Sequence, residues 1–480
     1  MGLPNFWTIV GVILLVVYFS TWLLIPWILL KRSVHPSASV AWIMAVIFIP
    51  FLGPLLCALI GVTRWERRTP QKQLASAIID SLTPDVQDEF LAPEPEMGAW
   101  SSLGRMTTEL VGAKVTAGNK IQILPDTKRS AKLIEQIVDE AQEWVHVEFY
   151  IWNRDKFGTR LRDLLVSKAK QGVEVRLLYD GIGSMWINRE FLKPLRAAGV
   201  STAPFNPGHR LTSLLTLNLR NHRKLVISDG RVGLTGGMNI GDEYIRPTVG
   251  YGHWRDTQIR LSGPAVLQFQ KVFARDWYYA TGEALTDAKY YPRPTTPGDV
   301  PAAVVADGPD DEVDAFYTMF VAAIGMARER VTLATPYFVP PEGLAVALEA
   351  AAWRGVRVRM IVANRGNFLW TLKAGQSYYQ SLLQAGVEIY EYQRGIYHAK
   401  TLTIDGKWSM VGTPNCDFRS FVLNFEIAVS MFDEDAAKQL EDEFESDLKY
   451  AQRIDWEAWR ARRRTTKLHE RFWRLFAPLF

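Results

Sequence analysis

Two stretches of the chain spell out the same spaced residues. The first reads NHRKLVISDGRVGLTGGMNIGDEY (221–244) and the second YHAKTLTIDGKWSMVGTPNCDFRS (397–420). Both contain H-x-K-x-x-x-x-D, as His222, Lys224 and Asp229 and as His398, Lys400 and Asp405. Each also carries an Asn 17 residues after its His, Asn239 and Asn415. The flanking sequence repeats too. VHVEFYIW (145–152) leads through an amphipathic stretch and Gly172 to VEVRLLYDG, and VTLATPYFV (331–339) leads through another and Gly355 to VRVRMIVAN. Matching helix ends follow, LRAAGV (195–200) and LLQAGV (382–387). Apolar strands alternating with amphipathic helices predict an α/β fold. The duplication narrows this to two similar α/β halves packed face to face. A site can then form on the seam from equivalent residues of each half.

Local pattern says what each motif residue can do. The segment after each His is apolar and β-branched and then meets Asp-Gly, which predicts a hairpin with a tight turn. On a strand, positions i and i+2 share a face. His222 and Lys224 therefore point the same way, as do His398 and Lys400. Asp229 and Asp405 complete the motif and stand among the catalytic candidates. Their odd spacing from the His and their place at the turn favour support of the turn and strand end instead. Two ammonium groups suit a phosphodiester and its developing charge, and Asn239 and Asn415 can add hydrogen bonds. A neutral imidazole can attack phosphorus while a protonated one protonates the leaving oxygen. Such a nucleophile needs its other ring nitrogen held by an acceptor. Asp256, in HWRDTQIRL, and Glu426, in LNFEIAVS, are the candidates, both read as lying on apolar strands. This set needs no metal or other cofactor. His35, His146, His209, His253 and His469 are read as structural or exposed, with His253 a candidate for lining the site.

The ends of the chain differ from its middle. Met1 to Leu30 holds no ionisable side chain, and a second uncharged run covers about 38–62. Each can cross roughly 30 Å of hydrocarbon as a helix. Trp22, Trp27 and Trp42 stand where aromatic rings anchor spans. The reading is a transmembrane hairpin over 1–68, with spans at about 5–30 and 38–62. Its connection carries Lys31 and Arg32, and its end carries Arg64, Arg67, Arg68 and Lys72, which favours both ends inside and a cytoplasmic body. A polar linker (69–110), the two halves (111–300 and 301–452) and a basic amphipathic segment (453–480) complete the division. That last segment has eight basic and three acidic side chains. Leu468, Phe472, Leu475, Phe476 and Leu479 share one helical face there, suited to anionic lipid or to the protein's own core. The net charge of +4 hides a split, since 73–452 alone is −6. An acidic body argues against nucleic acid, which selects a basic stripe. Two cysteines, Cys57 and Cys416, exclude a disulfide framework.

At the two motifs the chain resembles the phospholipase D superfamily, over about residues 110–450. The N-terminal PSASVAWIMAVIFIPFLGPLLCALIG, with NLRNHRKLVISDG, GGMNIGDEY, HWRDTQIRLSGP, TPYFVP, HAKTLTIDG and NCDFRSFVLNFE, makes the whole chain similar to the bacterial cardiolipin synthases of that superfamily. Family members usually carry Met where Cys416 stands and often Ile where Ser228 stands. The resemblance implies a two-step exchange through a phosphohistidine, with catalytic roles for His222, Lys224, Asp229, His398, Lys400 and Asp405. By it His222 is the nucleophile and His398 the general acid and then base; the residues alone leave the two halves equivalent. It further implies that two phosphatidylglycerol molecules are joined into cardiolipin, with release of glycerol, at a bacterial inner membrane. A membrane-bound hydrolase of the phospholipase D type is the alternative, and phosphatidylethanolamine could serve as one donor.

Overall fold

The computed structural model describes residues 6–30, 36–60, 70–205, 219–248, 250, 252–366 and 369–477. Lys31, Arg32, His35, Arg64, Arg67, Arg68, His209 and Leu479 lie outside the described residues. Each half builds a mixed sheet in the same spatial order. In the first half the strands run Ser201–Pro204, Glu174–Tyr179, Trp144–Phe149, Lys224–Ser228, Val232–Gly236, Gln258–Ser262 and Thr116–Leu124. In the second they run Glu388–Tyr392, Arg357–Ala363, Arg330–Thr335, Thr401–Ile404, Trp408–Gly412, Asn424–Met431 and Val300–Asp307. The first three strands of each series are parallel. The others pair antiparallel. Trp144–Phe149 is buried along its whole length, as a parallel strand covered on both faces should be.

The crossover helices begin and end where the sequence signals it. Asp155 caps the Lys156–Lys170 helix by accepting from the Gly158 N–H. Gly172 and Gly355, with φ of 92° and 90°, let the chain leave each helix in the left-handed region and enter the next strand. Thr116–Leu124 and Val300–Asp307 pair antiparallel with each other, Thr116 opposite Ala302. The packing of the halves is therefore by shared edges. The two half-sheets fuse into one continuous sheet, and equivalent strands sit on either side of its centre.

The N-terminal apolar runs differ from each other. Phe6–Leu29 is one 24-residue helix of mean hydropathy 2.4, with little of it buried. A soluble core helix would bury such a surface; a bilayer accepts it. The second run, expected as one span, is broken into Pro36–Phe48 and Leu52–Ile60. The break lies at Pro50, which has no N–H to donate, and Phe51, at φ 62°. Tyr18 ties the two runs together by donating its hydroxyl to the Ile47 carbonyl.

The segment expected as a linker is largely helical. Pro70–Leu82 packs along Val266–Thr281, with Arg275 2.7 Å from Asp80. Lys72 is only 2% exposed, and its Nζ lies 2.6 Å from Asp276 Oδ1. Asp276 also pairs with Arg223, next to His222 in sequence. Burial alone would raise the Asp276 carboxyl, but Arg223 and Lys72 outweigh it and hold it at about 2. Removing one partner of a buried pair typically costs about 3–5 kcal/mol. Lys72→Met should lower stability by about that much in thermal unfolding of the detergent-solubilised chain. A loss below about 1 kcal/mol would remove Lys72 from the network that supports the site.

At the other end, helix Arg464–Arg474 lies against helix Leu369–Gln376, and the Trp473 ring is 6.2 Å from Trp370. Arg462 donates two hydrogen bonds, 2.6 and 2.9 Å, to the buried Glu470 carboxylate. The protein's own surface thus takes the Glu470 and Trp473 side. Leu468, Phe472, Leu475 and Phe476, the face read as apolar from sequence, stay exposed.

Candidate active site

Each motif His is positioned by the opposite half. Arg220–Asn221 pairs in parallel with Asn424 and Phe425, and the His222 N–H donates to the Phe425 carbonyl at 2.9 Å. In the mirror arrangement, Gly395–Tyr397 pairs in parallel with His253–Arg255, and the His398 N–H donates to the Arg255 carbonyl at 2.7 Å. Neither His lies on a regular strand, whereas the hairpin pattern puts both on one. Each sits where the chain leaves the opposite half and enters its own hairpin, at Lys224–Ser228 or Thr401–Ile404.

The orienting carboxylates are exchanged in the same way. His222 Nδ1 is 2.8 Å from Glu426 Oε2, and His398 Nδ1 is 2.7 Å from Asp256 Oδ2. Both sequence-predicted acceptors are therefore in contact with an imidazole, each across the seam. Glu426 lies on the Asn424–Met431 strand, whereas Asp256 lies between two strands rather than on one. With Nδ1–H donated to a carboxylate, Nε2 carries the lone pair. His398 Nδ1 is also 2.9 Å from Lys400 Nζ. One ring nitrogen cannot donate and accept at once, so the shorter contact assigns the Nδ1–H hydrogen bond to Asp256 as acceptor. Lys400 is held instead by the His398 carbonyl.

The two carboxylates are not anchored alike. Glu426 receives Thr413 Oγ1–H on Oε2 and Asn424 Nδ2–H, at 3.1 Å, on Oε1. Asp256 receives the Thr257 N–H at 2.7 Å and is approached closely by Gly237. Gly237 holds the repeat position of Thr413, two residues before the motif Asn in each half. A Cβ at Gly237 would lie 2.3 Å from Asp256 Oδ1, inside contact distance. Gly237→Ala should therefore push the carboxylate off His398 and lower kcat by about 10–100-fold, since small misplacements of catalytic groups have effects of that order. Steady-state kinetics on a variant with unchanged circular dichroism tests this; wild-type kcat would show that the approach is incidental.

Burial and charge set the protonation states. Burial, opposed by Glu426 and aided by Lys224, lowers the His222 imidazole to about 4. Burial and Lys400 lower His398 to about 4 as well. Burial would raise Glu426, but His222, Lys224 and Thr413 hold it at about 2. Both imidazoles are thus neutral at pH 7, beside an ionised carboxylate in the case of His222. Burial lowers Lys224 to about 7 and Lys400 to about 8; Lys400 further lowers Lys224, while Glu426 and Asp256 oppose this in both. Lys224 Nζ donates to the His222 carbonyl at 2.6 Å and lies 5.4 Å from the Tyr150 ring centroid. That ring packs edge-on to His222 at 4.9 Å. Trp254 packs on His398 at 5.3 Å, while His253, the sequence candidate beside it, is exposed. The centre thus brings together two buried lysines and two neutral imidazoles, groups that suit a phosphodiester. Among the described residues, no group of three or more His, Cys, Asp or Glu is arranged to hold a metal ion.

Asp229 and Asp405, candidates by motif for a catalytic role, are placed elsewhere. The Asp229 carboxylate accepts from the backbone N–H groups of Gln142, Glu143 and Trp144 at 2.8–2.9 Å. Asp405 accepts from Arg328, Glu329 and Arg330 at 2.8–2.9 Å. Each stands at positive φ, 51° and 54°, in its hairpin turn and ties that turn to the start of the neighbouring strand. Both carboxylates thus brace their hairpin turns, the position that their spacing from the His favours. Asn239 lies one residue out. It donates to the Tyr244 hydroxyl at 3.3 Å, and that ring is 6.0 Å from His398. Asn415 is buried, with its backbone N–H on Ser420 Oγ at 3.1 Å. Sequence reasoning missed Gly237, Thr413, Asn424 and Tyr150. Only the Gly237 and Thr413 pair had a signal, their matching place in the repeat.

The chain is similar to known proteins over nearly its whole length. The family model described as cardiolipin synthase, PLD-like domain, matches twice, at residues 133–277 and 320–448. The chain is 31% identical over 469 residues to cardiolipin synthase 1 of Bacillus anthracis, covering 95% of this chain and 91% of that one. It is 34% identical over 461 residues to the cardiolipin synthase of Geobacillus thermodenitrificans, again covering 95% and 91%. Among solved structures, a phosphatidylserine synthase of Haemophilus influenzae shares the fold, with a TM-score of 0.61 and 13% identity over 79% of this chain and 100% of that one. The duplicated, cross-braced site and these relationships place the chain in the cardiolipin synthase family with phospholipase-D-like domains.

Proposed function

We propose that the chain is a membrane-associated phosphatidyltransferase that makes cardiolipin and glycerol from two molecules of phosphatidylglycerol. The observation that carries this reading is the pair of neutral, buried imidazoles, each fixed through Nδ1 by a carboxylate of the other half and flanked by a buried lysine. In the first step His222 Nε2 attacks phosphorus and the bond to the headgroup glycerol breaks. The leaving oxygen takes the proton from His398 Nε2, and a phosphatidyl group stays on His222. In the second step the hydroxyl of another phosphatidylglycerol gives its proton back to His398 and attacks phosphorus. The P–N bond breaks and cardiolipin leaves. His398 must be protonated to begin. A phosphodiester anion beside the ring favours its charged form and raises the His398 pKa, against the burial and Lys400 that lower it. Lys224 and Lys400 hold the phosphate oxygens throughout.

His222 is assigned as the nucleophile because its carboxylate is the better anchored, with Thr413 and Asn424 both on Glu426. In this reading the body, with halves at 111–300 and 301–452, lies on the cytoplasmic side of a bacterial inner membrane, held by the apolar N-terminal runs, whose basic flanks favour that side. Transfer rather than hydrolysis requires that a lipid alcohol reach the intermediate before water does. A site held at the bilayer supplies that alcohol at high effective concentration. Purified chain in detergent with phosphatidylglycerol should yield cardiolipin and glycerol in equal amounts. Phosphatidic acid as the sole lipid product would replace this reading with a hydrolase.

A further inference from the structure

The duplication extends to two exposed tryptophans that the chemistry does not use. Trp186 and Trp370 follow equivalent strands, Glu174–Tyr179 and Arg357–Ala363; Trp186 lies in the loop that carries Gly183, and Trp370 opens the helix Leu369–Gln376 that comes after Gly366. Both loops pack on an aromatic residue next to the site. Ser184 Oγ donates to the Tyr150 carbonyl at 3.0 Å, and a Cβ at Gly183 would lie 2.6 Å from the Tyr150 ring. Tyr150 in turn packs on His222. In the other half a Cβ at Gly366 would lie 3.4 Å from the Tyr337 ring. Tyr337 precedes Phe338–Val339, which pairs with Cys416–Asp417 directly after the motif Asn415. Each loop thus stands at the site end of its half-sheet.

Both places present apolar side chains to solvent, Trp370 with the Trp473 ring against it. Met185 and Trp186 are 63% and 70% exposed, and Leu369 and Trp370 are 63% and 40% exposed. A soluble surface gains nothing from a Trp next to a Met or Leu at two equivalent places. Trp is the residue that settles at the boundary between hydrocarbon and headgroups. The second tip continues into the C-terminal helix, where Trp473 meets Trp370 and the open Phe472 and Phe476 lie beside Arg471 and Arg474. That segment carries eight basic against three acidic side chains, while the body at 73–452 is −6. The charge at this end is therefore complementary to an anionic surface, and the rest of the body is repelled by one.

We infer that Met185–Trp186 and Leu369–Trp370 are paired prongs that seat the mouth of the site on an anionic bilayer, with the C-terminal helix extending the second prong. This contact is made by the catalytic body itself and is separate from the N-terminal helix. It rests on the lipid substrate proposed above. Its role is to let a headgroup pass from the membrane to His222 and His398 between two lipid-seated loops, with water excluded at the rim.

The test uses the full chain in vesicles of phosphatidylglycerol and phosphatidylcholine. Cys57 and Cys416 are both buried, so nitroxide labels can be directed to Trp186→Cys, Trp370→Cys and, at the opposite end of the strands, Lys170→Cys. Labels at 186 and 370 should collide with oxygen in preference to an aqueous nickel chelate, by about tenfold relative to 170. The same aqueous preference at all three positions would overturn the inference. As a second reading, the Trp186→Ala, Trp370→Ala double variant should lose about tenfold in turnover on bilayer phosphatidylglycerol. Its turnover on monomeric short-chain phosphatidylglycerol should stay within about twofold of wild type. Equal losses on both substrates would make the prongs merely structural. Lipid contact by the labels with no transfer on any substrate would leave the inference standing and remove the phosphatidyltransferase reading instead.

Discussion

His222→Ala and His398→Ala should each lower cardiolipin formation by about 10⁴-fold or more, although the two residues lie in different halves of the chain. The expectation follows from how the site is shared. Each imidazole has its Nδ1 fixed by a carboxylate of the other half and leaves Nε2 for one of two non-overlapping tasks. Attack on phosphorus cannot be done by an alanine, and neither can the proton transfer to glycerol. Groups that act as a unit lose nearly everything when one is removed. The double variant should therefore be little worse than either single one. Lipid product measured by mass spectrometry over long incubations provides the range needed. Substantial activity in either single variant would mean that each half carries a complete site. The variants should also differ in kind. Loss of the nucleophile stops the first step, whereas loss of the acid and base allows some covalent intermediate to form and then strands it.

Glu426→Gln and Asp256→Asn carry the second large expectation, a fall in kcat of about 10²–10⁴-fold with little change in KM. A neutral amide in place of the carboxylate fills the same space. It can accept from Nδ1–H only in one orientation, and in the other it donates and imposes the wrong tautomer. It also removes the negative charge that would stabilise a positively charged phosphohistidine or imidazolium. Glu426→Gln should be the more severe for the first step, because Glu426 serves His222. Asp256→Asn should act on proton transfer and show it in the pH profile. With the carboxylate gone, the protonated form of His398 is disfavoured further, so the alkaline limb of kcat should move to lower pH. Rapid-quench separation of the two steps would distinguish the variants. Equal effects on both steps in both variants would contradict the assignment of one carboxylate to each imidazole.

Much of this site was legible because it is duplicated. His222, Lys224, His398 and Lys400 declared themselves by recurring at one spacing, and Asp256 and Glu426 by being acids in apolar surroundings. The Asp-Gly turns were legible because positive φ at two successive positions selects those residues. What sequence could not give was the crossing. Nothing local says that Glu426 serves His222 while Asp256 serves His398, since both pairings depend on short parallel bridges between distant strands. The same holds for the shared edge of the sheet, formed by Thr116–Leu124 and Val300–Asp307, which reads equally well as two separate packed halves. In sequence Lys72 belongs with the basic residues that follow the second apolar run, where positive flanks of a span stand. Its burial against Asp276 required the tertiary partner to be seen. The break in the second apolar run at Pro50 was available in the sequence and was outweighed by the length of the run.

A phosphatidyl group carried on His222, at a site assembled from both halves, can be trapped chemically. His398→Asn, incubated with phosphatidylglycerol and quenched at neutral to alkaline pH to preserve a phosphoramidate, should carry one phosphatidyl adduct per chain. Peptide mass spectrometry should place that adduct on His222, and His222→Asn should carry none. An adduct on any other residue, or cardiolipin formed with His222 absent, would contradict the account.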